Sequence, residues 1–469
     1  MSRSTFLTLR TWIVVGVVCL GWPAAGQHQQ AAGRRPNVLF ILSDDHRADA
    51  VGAMGNPHVR TPNLDRLAAR GVMFSNAHIM GGLQGAVCVP SRAAILTSRT
   101  VFRCPDRPGG EHAIWPATFA AAGYRTFQTG KWHNGPASLN LAFADARDTF
   151  FGGMSDHFKI RLHDYNPAGT YPPRRARTGD RYDAEIFADA AVRFVGEGKG
   201  EERPWFCWVA FTNPHDPRTP PGDYATMYDP AEAPLPANYL PEPPVETGVM
   251  NIRDERLLPL PREAAAVRRE VAAYYGSVSH LDAQVGRVLD ALEASGQAAN
   301  TIVVFAGDNG LALGSHGLLG KQNVYEHSLG VPLIVAGPGV ARGARTDAMV
   351  YLLDLFPTAC EMAEVAIPGT VEGRSFAGVL GGGEGGRAEL FGAYAKLHRP
   401  VRDRRYKLIE WNVGGGRRVQ LFDLREDPGE IRDLAGEVGL AGVRGRLEGR
   451  LAELKVELGD PMGRGRERD

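Results

Sequence analysis

The sequence is poor in cysteine and has no excess of charge of either sign. Only five of its 469 residues are cysteine, so disulfide bonds are not expected to form the framework of the fold. Lysine and arginine together number 53, as do aspartate and glutamate, and the formal net charge is zero. This balance gives no indication of a nucleic-acid partner or an anionic membrane surface.

An apolar run near the N-terminus, from Trp12 to Trp22, is too short to be a good membrane span. It follows Arg3 and Arg10 and precedes the small residues at positions 24–26, which is the pattern of a secretory signal. We therefore predict a signal peptide over residues 1–26, export to the periplasm or the exterior, and no stable membrane partner. An uncleaved anchor is the alternative.

Short apolar runs alternate with segments of helical periodicity along the first four fifths of the chain. The strand-like runs are 38–42, 125–129, 206–211, 302–306 and 331–336, and the helical segments are 63–70, 184–195 and 278–292. This alternation predicts an α/β domain over residues 27–380, with a large, mostly parallel sheet between helices.

A smaller region is predicted beyond the glycine-rich stretch at residues 381–386. Residues 406–411 and 419–424 resemble the strands of a hairpin, and a final helix is expected over 443–458. We predict a C-terminal α+β subdomain at 387–469, with a small antiparallel sheet and one helix. A proline-rich segment, residues 213–262, should form a long excursion over the sheet edge.

Polar residues directly follow four of the predicted strands. The carboxyl ends of parallel strands share one edge of an open sheet, where the ligand crevice lies, so these residues should converge. They are Asp44, Asp45, Lys131, His133, His215, Asp308 and Asn309.

The acidic members of this set are candidate metal ligands. Three carboxylates in one crevice, those of Asp44, Asp45 and Asp308, would repel each other strongly unless a cation neutralised them. Together with the amide of Asn309 they form an all-oxygen set, which suits Ca²⁺ or Mg²⁺ better than zinc.

A run that begins at Cys88 and continues to Arg99 is the most informative motif. Pro90 suits the first turn of a helix, and the following alanine and leucine residues propagate it. Cys88 is therefore expected close to a helix N-terminus, which favours an anion, and Arg92 adds a positive charge one turn away. The alternative is a buried structural cysteine.

This run resembles the C-x-P-S-R-x-x-x-L-T-G signature of type I sulfatases, in the alkaline phosphatase superfamily, with Ser98 at the usual glycine position. The Gly-Lys-Trp-His sequence that contains Lys131 and His133 is a second hallmark of that family. The resemblance covers nearly all of the mature chain. It implies an alkaline-phosphatase-like fold of two parts, a catalytic domain and a smaller C-terminal one.

The resemblance also implies a catalytic mechanism and the residues that take part in it. A formylglycine-generating enzyme would oxidise Cys88 to Cα-formylglycine, whose hydrate is the nucleophile. The modified Cys88 and the four acidic and amide residues would bind Ca²⁺, with Mg²⁺ as the alternative. Arg92 would assist ionisation of the nucleophile. The family's sulfate-binding and proton-transfer residues correspond to Lys131, His133, His215 and Lys321.

The implied activity is hydrolysis of sulfuric esters, with a sulfated carbohydrate or a small sulfate ester as substrate. Two alternatives remain: a phosphonate or phosphate ester hydrolase of the same superfamily, and an inactive secreted glycan-binding protein. We expect specificity to come from the proline-rich excursion and the segment near His398 and Arg399. At most one disulfide bond is expected, and His316 and His327 are expected to be structural or supporting residues.

Overall fold

The structure, a computed structural model, describes Met1 and residues 34–463. The predicted signal peptide therefore falls almost entirely outside the described residues. In the described part of the chain, no helix is both long enough and apolar enough to span a bilayer.

The strands are short and, in the large sheet, mostly buried on both faces. In chain order they are β1 (Asn37–Ser43), β2 (Gly71–Phe74), β3 (Ala77–His78), β4 (Gly81–Gly82), β5 (Arg125–Lys131), β6 (Asp145–Phe150), β7 (Arg161–Leu162), β8 (Arg177–Thr178), β9 (Trp205–Ala210), β10 (Thr301–Gly307), β11 (Leu333–Ala336), β12 (Ala344–Thr346), β13 (Val350–Tyr351), β14 (Leu390–Phe391), β15 (Ala393–Tyr394), β16 (His398–Arg402), β17 (Tyr406–Val413) and β18 (Gly416–Asp423).

The helices occupy the segments between these strands. They are α1 (Pro62–Ala68), α2 (Cys88–Thr97), α3 (Trp115–Ala121), α4 (Pro136–Ala142), α5 (Asp183–Glu197), α6 (Ala264–Ala294), α7 (Glu326–Leu329), α8 (Leu355–Met362), α9 (Ala377–Leu380) and α10 (Ala441–Leu458). Helix α6 extends well beyond the predicted 278–292, because Val267, Val271 and Tyr274 continue its apolar face under the proline-rich excursion.

Eight strands form the large sheet, in the order β12-β2-β11-β10-β1-β9-β5-β6. Most pairs are parallel, as predicted, with β1 between β10 and β9. The expectation of a parallel strand at 331–336 is wrong, because β11 runs antiparallel to both its neighbours. After β10 the chain stays at the carboxyl edge of the sheet and enters β11 from that edge. It therefore does not need the long crossover connection that joins parallel strands.

The side chains of β1 alternate between two hydrophobic clusters, one on each face of the sheet. Val38, Phe40 and Leu42 pack with α2, α3, α4 and α8. Leu39 and Ile41 pack with α1, α5 and α6. Helices therefore cover both faces of the sheet, which confirms the predicted α/β architecture and leaves the carboxyl edge for the site.

The smaller sheet has the order β18-β17-β16-β15-β4, with β14 paired to β16. Its hairpin, β17–β18, and the helix α10 that packs on it lie where the sequence predicted them. Four strands of this sheet were not predicted, namely β4, β14, β15 and β16. Strand β4, shortly upstream of α2, joins the sheet in parallel with β15. The segment before Cys88 is thus held by the C-terminal part of the chain.

Candidate active site

The carboxyl ends of β1 and β10 bring the acidic residues together. Ser43 is paired with Gly307, so the residues that follow each of them are neighbours. The backbone N–H of Asp45 donates to Oδ1 of Asp308 at 3.1 Å, and Nδ2 of Asn309 donates to Oδ1 of Asp45 at 2.8 Å. Asp44 lies beside them, and all four side chains are buried.

These side chains fit a bound cation. Among the described residues, Oδ1 of Asp44 and Oδ1 of Asn309 are buried acceptors without a hydrogen-bond partner. Candidate ligand atoms of Asp44, Cys88 and Asp308 lie within 4.8 Å of one another. Burial and the neighbouring charge of Asp44 raise the pKa of Asp308 to about 7. A divalent ion would supply the partner that the free oxygens of Asp44 and Asn309 lack.

Helix α2 begins with Cys88, and Pro90 lies in its first turn. The Sγ atom of Cys88 is 3.2 Å from Nδ1 of His133 and 3.8 Å from Nζ of Lys131. Burial raises the pKa of the thiol, against the opposing effect of the nearby lysines. The hydroxyl of Ser91 donates to the backbone carbonyl of Asp308 at 2.5 Å, which attaches the helix to the end of β10.

Arg92 connects three parts of the site. Its Nε donates to Oδ2 of Asp308 at 2.8 Å, and one terminal nitrogen donates to the backbone carbonyl of Lys131 at 3.0 Å. Its other terminal nitrogen lies 3.9 Å from the carboxylate of Asp44. Because the guanidinium is buried and always charged, it adds fixed positive charge next to the nucleophile position.

Lys131 is the last residue of β5, which extends beyond the predicted 125–129, and His133 follows the strand. Nζ of Lys131 donates to the Asp44 carboxylate and, at 2.7 Å, to the backbone carbonyl of Gly153. Burial and the charge of Lys131 lower the pKa of His133 to about 3. His133 is therefore neutral near pH 7 and able to accept a proton from its neighbour at position 88.

Lys321 and His215 both contact the carboxylate of Asp45. Nζ of Lys321 donates to Oδ1 of Asp45 at 2.5 Å, and Nε2 of His215 is 3.6 Å from Oδ2 of the same residue. Although burial opposes it, the charge of Asp45 raises the pKa of Lys321 well above its ordinary value. Burial lowers the pKa of His215.

The structure thus brings every predicted site residue into one cluster. The sequence did not predict the contacts of Ser91 and Gly153 in the site. Ser91 could have been included because it belongs to the motif that begins at Cys88, whereas no sequence pattern marks Gly153. His316 and His327 contact each other, and His316 contacts the backbone carbonyl of Glu430, which fits a structural role.

His398 and Arg399 do not face the crevice. Both side chains are buried; His398 contacts the backbone carbonyl of Thr247 and Arg399 the carboxylate of Asp460. The fold uses these two side chains to join β16 to neighbouring loops. A contribution of the surrounding segment to specificity stays a prediction. The described cysteines, Cys88, Cys104, Cys207 and Cys360, are all free, in line with the expectation of few disulfides.

A mostly parallel α/β sheet with this cluster at its carboxyl edge defines a hydrolase of the alkaline-phosphatase-like superfamily. The sequence pattern of the sulfatase family matches residues 36–365, and that of the C-terminal region of N-sulphoglucosamine sulphohydrolase matches residues 314–457. The chain therefore belongs to the sulfatase family and is a sulfuric ester hydrolase.

One curated relative and two solved structures illustrate what the chain is similar to, and the solved structures share its fold. The ulvan-active sulfatase of Formosa agariphila is 27% identical, over 92% of this chain and 83% of its own. A solved structure of a protein in complex with its substrate D-glucosamine-2-N,6-O-disulfate has a TM-score of 0.77 at 23% identity, over 92% of this chain and 100% of that one. The structure of the phosphonate monoester hydrolase of Agrobacterium radiobacter has a TM-score of 0.71 at 21% identity, over 90% of this chain and 96% of that one.

Proposed function

We propose that the protein removes sulfate from sulfated carbohydrates, using a formylglycine made from Cys88 and a divalent cation, Ca²⁺ or Mg²⁺. The observation that carries this proposal is the surroundings of the Cys88 sulfur. It is buried between the neutral imidazole of His133 and the ammonium of Lys131, beside an acidic cluster with free acceptor atoms. A thiol kept only for packing does not require these neighbours.

The cation would be held by Asp44, Asp45, Asp308, Asn309 and the modified side chain at position 88. When bound, it would neutralise the carboxylates and polarise oxygen atoms at the reacting centre. The hydrated aldehyde at position 88 would supply two hydroxyl groups, one that attacks sulfur and one that allows sulfate to be expelled.

The remaining steps use groups whose positions are known. Arg92 and Lys131 stabilise negative charge beside position 88. His133 accepts a proton from that position, because its Nδ1 lies against it and its pKa is low enough to keep it neutral. Expulsion of sulfate depends on this proton transfer.

Lys131, His215 and Lys321 hold the sulfuryl oxygens, where charge develops in the transition state. His215 or Lys321 delivers a hydrogen bond, and finally a proton, to the departing alcohol. Both residues contact Asp45.

The choice of a carbohydrate rests on the relatives, which include the ulvan-active sulfatase and the glucosamine disulfate complex. The phosphonate monoester hydrolase remains the rival, because its fold is similar and phosphonate esters are also tetrahedral. We also propose the catalytic domain at 27–380, the subdomain at 387–469, maturation by a formylglycine-generating enzyme, and export.

The test is sulfate release from a panel of sulfated glycans, choline sulfate, an aryl sulfate and a phosphonate ester. The protein is co-produced with a formylglycine-generating enzyme, and Cys88→Ala is the control. We expect release from a glycan sulfate that the control does not catalyse. Turnover of the phosphonate without sulfate release would contradict the proposal, and binding of a glycan without turnover would favour the inactive alternative.

A further inference from the structure

A buried ion pair of the proline-rich excursion holds the backbone that leads to Lys321. Oε1 of Glu255 accepts a hydrogen bond from the backbone N–H of Gly320 at 2.8 Å, and Oε2 accepts one from the N–H of Leu319 at 2.9 Å. The guanidinium of Arg262 donates to the same Oε2 at 2.8 Å. The side chains of the ion pair are 1% and 0% exposed, so these hydrogen bonds are shielded from water. The pair therefore fixes the chain immediately before Lys321.

The side chain of Gln322 holds the backbone of Lys321 itself. Its Oε1 accepts a hydrogen bond from the backbone N–H of Lys321 at 3.0 Å. Its Nε2 donates to the backbone carbonyl of Gly85 at 2.9 Å and to the carboxylate of Asp254 at 2.7 Å. Gln322 thus joins Lys321 both to the segment before Cys88 and to the excursion.

Gly320 shows how closely these groups surround the chain. A Cβ atom at this position would lie 2.3 Å from Oε1 of Gln322, 2.8 Å from Cβ of Asp254 and 3.1 Å from Oε1 of Glu255. Any side chain here would therefore push the holding groups away. The absence of a side chain at Gly320 lets Glu255 and Gln322 act on the same short stretch of backbone.

These contacts complete the fixation of the Lys321 side chain. Its ammonium is buried and donates to Oδ1 of Asp45 at 2.5 Å, which uses one of its three hydrogens. A lysine has a flexible four-carbon stem, so its ammonium occupies one place only when both ends of the side chain are held. Asp45 holds the charged end, and Glu255 and Gln322 hold the backbone end.

We propose that Glu255 and Gln322 are positioning residues that hold the ammonium of Lys321 where the sulfuryl group binds. This inference rests on the proposed function, in which Lys321 holds a sulfuryl oxygen. It gives the proline-rich excursion, which the sequence connects with specificity, a part in catalysis as well. The expected effect is large, because a displacement of about 1 Å at a reacting centre can cost about 100-fold in rate.

A double-mutant comparison separates this role from a general contribution to folding. Residues that act through the ammonium should matter little once the ammonium is gone. We expect Gln322→Met and Glu255→Gln each to lower kcat about tenfold or more in the otherwise unaltered enzyme. In the Lys321→Ala background the same two substitutions should lower the residual kcat less than about twofold.

The measurements use the formylglycine-containing enzyme, with 4-nitrophenyl sulfate and with the glycan sulfate that the unaltered enzyme hydrolyses fastest. Thermal unfolding is recorded for every variant. Glu255→Gln changes the shape least, so it provides the comparison even where Gln322→Met fails to fold.

Gln420 provides the matched control, because it is a buried glutamine whose Oε1 accepts hydrogen bonds from Tyr325 at 2.8 Å and Trp411 at 2.9 Å. Any loss of kcat in Gln420→Met should be the same with and without Lys321. Equal losses in the two backgrounds for the Glu255 and Gln322 variants would overturn this inference but leave the proposed function standing. An unchanged kcat in Lys321→Ala alone, or no sulfate release by the unaltered enzyme, would instead contradict the proposed function.

Discussion

The Sγ atom of Cys88 and Nδ1 of His133 are 3.2 Å apart, although the two residues are 45 positions apart in the chain. Cys88 begins helix α2, whereas His133 follows strand β5. Their contact places a neutral base directly against the side chain that we propose is oxidised.

His133→Ala should separate the two halves of the reaction. Attack on the ester does not require this base, but expulsion of sulfate does, so alcohol release should stop after about one turnover per site. Rapid-mixing measurement of the alcohol would reveal this burst. His163→Ala, a change at a less buried histidine, is the control. Steady multiple turnover by His133→Ala at the unaltered rate would refute the assigned role.

Cys88→Ser should abolish turnover, although serine is a competent nucleophile in other enzymes. A serine side chain has one hydroxyl, so it lacks the second group that allows sulfate to be expelled. Sulfate release over many enzyme equivalents is the measurement, in a host without a serine-specific maturation enzyme. Cys104→Ser, at a cysteine outside the cluster, should keep activity. Multiple turnovers by Cys88→Ser would rule out the formylglycine mechanism.

Removal of the divalent cation should lower both activity and thermal stability. The bound ion relieves repulsion among buried carboxylates, and at a concentration 100 times its dissociation constant a ligand stabilises by about 2.7 kcal/mol. Chelation followed by separate addition of Ca²⁺ or Mg²⁺, with thermal unfolding and metal content measured, tests this. In Asp308→Asn the melting temperature should respond weakly to chelation. An equal response in both proteins would place the metal elsewhere.

Ser98 should be more tolerant of glycine than of alanine. It ends helix α2 in the left-handed region, with φ 53°, and its hydroxyl donates to the carbonyl of Leu353 at 2.6 Å. Both substitutions remove the hydroxyl, but only alanine keeps the left-handed strain, which costs about 1–2 kcal/mol. Chemical denaturation should therefore find Ser98→Ala less stable by roughly that amount, and the reverse order would contradict the strain argument.

Stability should fall as the pH decreases from about 6.5 to 4. Burial lowers the pKa of four histidines to about 4, and these are His46, His280, His316 and His398. Because the folded pKa lies below the unfolded value, the stabilising contribution is complete above pH 6.5 and is lost on acidification. A shift of this size corresponds to an upper bound of about 3 kcal/mol for each residue.

His398→Gln tests this pH dependence. Its amide can still donate to the backbone carbonyl of Thr247, as the imidazole does at 2.7 Å, but it does not titrate. The free energy of unfolding, measured between pH 7 and 4.5, should decrease less steeply in this variant than in the unaltered protein. Parallel curves for the two proteins would show that His398 contributes nothing to the acid sensitivity.

Much of the active cluster could be predicted from the sequence, because local patterns of apolar and polar residues indicate where it lies. Apolar runs such as residues 38–42 indicate buried strands, and the polar residues after such strands must lie at the carboxyl edge of a parallel sheet. The Cys88 run carries its own helix-start signal. Asp44, Asp308 and Lys131 could therefore be assigned to one crevice without knowledge of the tertiary structure.

Other features depend on contacts between distant segments, and no local pattern reports them. Gly81 and Gly82 are of a residue type that is depleted in strands, yet they form an edge strand of the smaller sheet. Residues 333–336 have the composition of a parallel strand but run antiparallel, because the route of the preceding loop determines their direction. The pairing of Arg253 with Asp216 likewise exists only because the excursion folds back over the crevice. Hydrophobic periodicity specifies which residues are buried, whereas the packing of the whole chain decides which of them meet.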